Sequence, residues 1–247
     1  CALPISQFMP NKKKVSDNVL LDNITHIILD GCMPKNISLP ENLTHLTLGD
    51  NCNYMITKFP DTLTHLIVKD NYKYSLPKLP KTLLYLELGQ FSQQPTSLPT
   101  GLKTLIVKSN FFDNFDKLPN TLLELVIENY INFTLDFLPA SIKKLTVGNG
   151  FNNNLDKLPS GLLELNLKSI FNKPLNSLPE NLERLYLDDN FNQSLDNLPN
   201  KLKYLRVGWD YGYSLQNIPK SVSHLVITCK NTCILETIPK TVTKISY

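Results

Sequence analysis

Residues 180–199 read ENLERLYLDDNFNQSLDNLP, and the spacing of their apolar side chains decides the fold. Leu182, Leu185 and Leu187 form an L-x-x-L-x-L core, Phe191 follows four residues on, and Leu195 and Leu198 complete the unit before Pro199. The alternation in the last three positions of that core is the period of a strand with one buried face, whereas the three- and four-residue steps around it turn corners. Twenty residues hold a strand, turns and an extended return, but too little chain for a full helix as well. The proline disfavours helix in the residue before it and supplies no N–H, so the return is expected to be extended and the convex side poor in helix.

The same unit runs through the chain. Pro40, Pro60, Pro80, Pro99, Pro119, Pro139, Pro159, Pro179, Pro199, Pro219 and Pro239 recur at twenty-residue steps, with one step of nineteen from Pro80 to Pro99. A single coil has no interior; its six apolar positions are covered only by neighbours stacked on either side. The expected fold is therefore a leucine-rich-repeat solenoid of the α/β type, in practice mostly β, with a parallel sheet of about eleven strands and a period of 20.

Before Pro40 the phase continues back through Ile24, Ile27 and Leu29, with Cys32 in the place that Phe91 takes in the other nineteen-residue repeat. Residues 1–22 fall outside the pattern and read as a cap or linker; residues 23–247 read as one solenoid domain. Val242 and Ile245 begin a last unit that stops at Tyr247, which suggests truncation or a partner covering that edge, with end-to-end packing through the final coil. Asparagine recurs around the phenylalanine position, as Asn51, Asn71, Asn110, Asn190, Asn132, Asn152, Asn172 and Asn192. In tight turns packed between like turns, such amides are expected to bond backbone groups above and below.

The Phe-Asn pairs at 151–152, 171–172 and 191–192 and the Ile-Pro pairs at 218–219 and 238–239 resemble the FNIP repeats of social amoebae and giant viruses. Short repeats of some bacterial effectors share the length and proline phase, but carry leucine where this chain has the asparagine. The FNIP resemblance implies a binding scaffold, and, since such repeats often follow an F-box, the substrate-recognition arm of a ubiquitin ligase. A structural component of an assembly such as a virus particle and an effector-type binding domain are the alternatives.

Composition narrows the partner. A net charge of +3, with Lys12, Lys13 and Lys14 as the one short basic cluster, does not favour nucleic acid or an acidic membrane. No apolar run reaches a bilayer-spanning length and no secretory leader is read, so a cytoplasmic location is favoured, with a virion as the alternative. No phosphate loop, nucleophile elbow or H-E-x-x-H sequence occurs, and no catalytic residue or cofactor is expected.

A protein partner is expected on the concave sheet face. Two outward columns are chemically varied: His26, His45, His65, Tyr85, Thr104, Glu124, Lys144, Glu164, Arg184, Tyr204, His224 and Lys244, and two residues later Ile28, Thr47, Ile67, Glu87, Ile106, Val126, Thr146, Asn166, Tyr186, Arg206, Val226 and Ser246. Arg184, Tyr186, Tyr204 and Arg206, with Trp209 at the strand exit, gather the residue types that dominate binding hot spots, although an ordinary exposed sheet is covered by the same types. His26, His45 and His65 form a row on successive coils that could share a metal or act as a pH-sensitive ladder, and is read first as a solvated histidine row. Cys32 and Cys52 share an inward column, where they are read as buried hydrophobes before a disulfide; Cys229 and Cys233 straddle one turn.

Overall fold

The computed structural model describes residues 23–31, 38–90, 95–108, 118–128, 134–136, 138–228 and 232–246. The chain divides into two compact units, Cys1–Phe111 and Phe112–Tyr247. The first contains β1 (His26–Leu29), β2 (His45–Leu48), β3 (His65–Val68), β4 (Tyr85–Leu88) and β5 (Thr104–Val107). The second contains β6 (Glu124–Ile127), β7 (Lys144–Val147), β8 (Glu164–Leu167), β9 (Arg184–Leu187), β10 (Tyr204–Val207), β11 (His224–Ile227) and β12 (Lys244–Ser246). Within each unit every strand pairs in parallel with the next in the chain, and the register sets like positions opposite one another, as Leu165, Leu185 and Leu205.

The fold is a parallel β-solenoid with a period of about twenty residues. The described residues hold twelve strands where about eleven were expected, because the coil before Pro40 and the coil after Pro239 each supply one. Their one helical element is a 3-10 helix at Thr232–Thr237, so the return side is as helix-poor as the prolines require.

Each strand is four residues long and alternates outward and buried side chains, apart from the two ends. Leu182, Leu185, Leu202 and Leu205 are completely buried, each burial being worth about 1.5–3 kcal/mol. No charged or polar residue is buried among the described positions, so the interior needs no internal polar network.

The proline does local work that the period alone does not reveal. In all eleven proline units the proline carbonyl accepts a hydrogen bond from the N–H three residues on, at 3.0–3.2 Å, as from Leu182 to Pro179. Every strand after β1 is thus preceded by a tight turn whose first residue has no N–H left to satisfy.

Phe151, Phe171, Phe191 and Tyr211 stack with ring centroids 6.0, 6.2 and 6.3 Å apart and planes within 8° of parallel. Beside them the Oδ1 of Asn152, Asn172 and Asn192 accepts the backbone N–H of Asn172, Asn192 and Gly212 at 2.9, 2.9 and 3.0 Å. The Phe-Asn pair is a spine and a clamp in one, and the expected structural role of these asparagines holds. In the first unit aspartate takes over: Asp30 accepts from the Asn51 N–H at 3.0 Å and Asp50 from that of Asn71 at 3.3 Å. Asn110 and Asn132 lie outside the described residues.

Candidate functional site

The outward columns stand where the strand alternation puts them, on the open face of each sheet. In the first unit, His26, His45 and His65 stack with centroids 4.0 and 4.1 Å apart and planes within 11°, and Tyr85 extends the row at 5.6 Å. Each imidazole Nδ1 lies 2.9 Å from the Oγ1 of the threonine before it, Thr25, Thr44 or Thr64. Burial, then the charges of His65 and His26, holds the His45 pKa below its ordinary value.

Next to Tyr85 sits a cluster that residue types alone did not single out. Glu87 accepts from the Tyr85 hydroxyl at 3.1 Å and pairs with Lys108 at 3.2 Å and Lys69 at 3.5 Å. Burial pushes this carboxyl up, but the two ammonium groups and the phenol more than offset it, leaving it below the usual range. Lysines flanking a glutamate across three strands were a readable signal, had the strand-exit column been aligned with the outward ones.

In the second unit the strand register sets Arg184 opposite Tyr204 and Tyr186 opposite Arg206. Tyr186 and Tyr204 are in contact with centroids 4.8 Å apart, and Tyr204 meets His224 edge-on at 4.8 Å. Arg184 pairs with Glu164 at 3.5 Å, and Arg206 Nη1 bonds Asp188 Oδ1 at 3.4 Å. The other oxygen of Asp188 accepts the N–H of Ser169 at 3.0 Å. Trp209 is 53% exposed, and its backbone N–H donates to Asp189 Oδ1 at 3.2 Å. Burial, with Glu164 and Tyr204 adding to it, pushes the Tyr186 hydroxyl up, so it stays a neutral donor. The arginines are thus oriented by carboxylates with part of each guanidinium left outward, and aromatic rings lie between them.

Nearby charges are arranged by backbone shape. Lys168 reaches Glu128, two coils away, at 3.5 Å because the coil between them carries Gly148 at that position. Cys52 is buried with a free thiol, pushed up in pKa by burial, as its reading as a small hydrophobe requires. Cys32 and Cys229 lie outside the described residues, as does the side chain of Cys233. Among the described residues no group of three or more His, Cys, Asp or Glu is placed to hold a metal ion, and no helix is long and apolar enough to cross a membrane.

Residues 35–67 and 171–210 match the FNIP Repeat family. Among solved structures the chain is similar to CroV588, described as a circular LRR protein, with 26% identity and a TM-score of 0.65. That likeness covers 94% of this chain and 48% of CroV588, so the chain spans about half the length of that relative. An internalin from Listeria monocytogenes shares the fold at 14% identity and a TM-score of 0.56, over 92% of this chain and 87% of its own. No match was found among curated protein sequences. Spacing, strand register and these likenesses agree: the chain is a parallel solenoid of leucine-rich-repeat-like fold in which residues 35–67 and 171–210 match the FNIP Repeat.

Proposed function

We propose that this chain is a non-catalytic scaffold that recruits a protein partner to its open sheet face, anchored in the second unit by Arg184, Tyr186, Tyr204, Arg206 and Trp209. The observation that carries this reading is the aromatic and guanidinium cluster: half-buried tyrosine rings 4.8 Å apart, each arginine oriented by its own carboxylate, and Trp209 more than half exposed at the strand exit. Tyrosine, tryptophan and arginine held in this way present large contact area with little freedom left to lose, which is the composition of binding hot spots. The similarity to leucine-rich-repeat proteins supports the general role.

Two finer assignments follow from the resemblance to FNIP proteins: a substrate-recognition arm of a ubiquitin ligase, or a component of a larger assembly such as a virus particle. The ligase role is the one we favour, because the varied outward columns suit selection of one partner.

Affinity capture from the native source with wild-type chain and with the Tyr204→Ala/Arg206→Ala pair tests the reading. Loss of each hot-spot side chain costs roughly 2 kcal/mol or more of binding, so capture should disappear. The melting temperature should stay within about 4 °C, as expected for a change of about 1 kcal/mol in a chain of this size. Undiminished capture by the double variant removes the patch. Gel filtration with cross-linking separates the two finer roles: a monomer fits recruitment and an end-to-end oligomer fits assembly.

A further inference from the structure

The three Thr-His pairs of the first unit contain more information than their position on the sheet. Thr44 Oγ1 lies 2.9 Å from His45 Nδ1 and also 3.0 Å from the carbonyl oxygen of Thr25. Thr64 Oγ1 lies 2.9 Å from His65 Nδ1 and 3.1 Å from the carbonyl oxygen of Thr44. A hydroxyl has one hydrogen, and a carbonyl oxygen only accepts. With the hydroxyl hydrogen directed to the carbonyl, beside the two N–H donors each of those oxygens already accepts, an oxygen lone pair faces the ring. Nδ1 must supply the hydrogen of that second bond, which makes both imidazoles Nδ1–H tautomers with an unprotonated Nε2. His26 stacks on His45 with its Nδ1 2.9 Å from Thr25 Oγ1, and joins the row through that stack, without the carbonyl bond that fixes the hydroxyls of Thr44 and Thr64.

Since Nδ1 of every ring is tied to the backbone side and the planes lie within 11° of one another, the Nε2 lone pairs point the same way, about one ring spacing apart. The ring dipoles then lie side by side with their negative ends outward. Parallel lone pairs do not converge on a single ion, so the row is unsuited to a metal, but it suits a strip of hydrogen-bond donors carrying positive charge. Guanidinium groups, with five donors in a plane, match it best.

We propose that the Thr-His pairs at 25–26, 44–45 and 64–65 form a tautomer-locked acceptor row that docks arginine side chains of a protein partner, and that protonation of the row releases them. This rests on the reading of the open sheet face as a binding surface, but uses a different unit from the tyrosine and arginine patch. Protonation turns each Nε2 from acceptor to donor and places cations one ring apart, reversing the preference to acidic groups. The other titratable and charged groups on this face are Asp30 after β1, Asp50 after β2, Lys69 and Asp70 after β3, Tyr85 and Glu87 on β4, and Lys108 after β5. Glu87 is already held by Lys69 and Lys108, and imidazole is the one side-chain type on this face whose ordinary range lies near neutrality.

Imidazole nitrogen NMR on the full chain, which has four histidines, tests this directly. At a pH about one unit above the ordinary histidine pKa of ~6.5, His45 and His65 should show protonated Nδ1 and bare Nε2. His224 follows Ser223 instead of threonine and serves as the internal comparison. A tri-arginine peptide should shift these Nε2 signals at that pH and at least fivefold less at about one unit below ~6.5, with tri-glutamate showing the opposite order. The Thr44→Val/Thr64→Val pair keeps side-chain shape, and the Thr25 carbonyl retains the N–H donors of Thr44 and His45. It should release the tautomer and abolish the tri-arginine response. Nε2–H tautomers in the wild type, a tri-arginine response unchanged in the valine pair, or shifts confined to His224, which adjoins Tyr204, would each overturn the proposal. The last of these leaves the wider protein-binding reading intact, whereas failure of the Tyr204/Arg206 capture experiment leaves the histidine row standing.

Discussion

Single residues decide how closely one coil can follow another. At Gly148 an added Cβ would stand 2.4 Å from the Glu128 carbonyl oxygen, and that backbone has no room to yield. Gly148→Ala should destabilise the second unit by roughly 1–3 kcal/mol in urea unfolding, the usual range for overpacking. Gly161 is the contrast, since its nearest neighbour at 2.6 Å is the flexible end of Lys143 and the closest backbone atom is at 3.7 Å. Gly161→Ala should be neutral or stabilise by about 0.4–1 kcal/mol through the unfolded chain. His45 brings pH into the same scale. Its folded pKa lies below 6.5, so on acidification the unfolded chain takes up the proton first. The stability it supports is present above 6.5, falls as the pH drops through 6.5 toward the folded value, and levels off below it. The urea midpoint of the first unit should therefore decline over that interval, and His45→Gln should flatten the decline; an equally steep profile in the variant would assign the effect elsewhere.

At the scale of the coil, the strand, the corner and the outward columns were legible because apolar spacing reports burial directly. Leu182, Leu185 and Leu187 announced β9, and the same spacing found its neighbours on both sides. The bonds between coils were less legible. The asparagine beside Phe171 was expected to clamp a neighbouring backbone and does, whereas Asp30 and Asp50 doing that job in the first unit was not anticipated, since an acidic residue at a turn reads equally well as solvated. The threonine before His26, His45 and His65 was missed for a related reason: a strand-entry residue gives no sign of which side chain its hydroxyl will meet. The phenylalanine spine yields a prediction at this scale. Phe171 is 2% exposed between two parallel rings, and Phe171→Ala should cost about 3–5 kcal/mol. Because coils are stabilised by their neighbours, amide exchange should accelerate first in β8 and β9 and least in β6. Uniform acceleration through the unit would show that it opens as one block instead.

For the molecule as a whole, the repeat was readable from the prolines alone, while the strand count came out one higher because both terminal coils complete a strand. Far-UV circular dichroism should show a β spectrum without the paired minima of α-helix, since a 3-10 helix at Thr232–Thr237 is the only helical element among the described residues. A strong helical signal would contradict the extended return that proline imposes. The patch proposed to contact a partner was legible as a set of residue types, but its orientation was not, because carboxylates on adjacent coils set the aim of Arg184 and Arg206. The Asn152, Asn172 and Asn192 clamps carry a last consequence. Each joins a residue to its counterpart twenty positions later, so excising or duplicating one whole coil inside this run re-forms the same bonds, whereas a one-residue insertion breaks them on both sides. Such a chain can lengthen or shorten by quantised steps during evolution, and each added step brings a fresh pair of outward side chains without asking the interior to change.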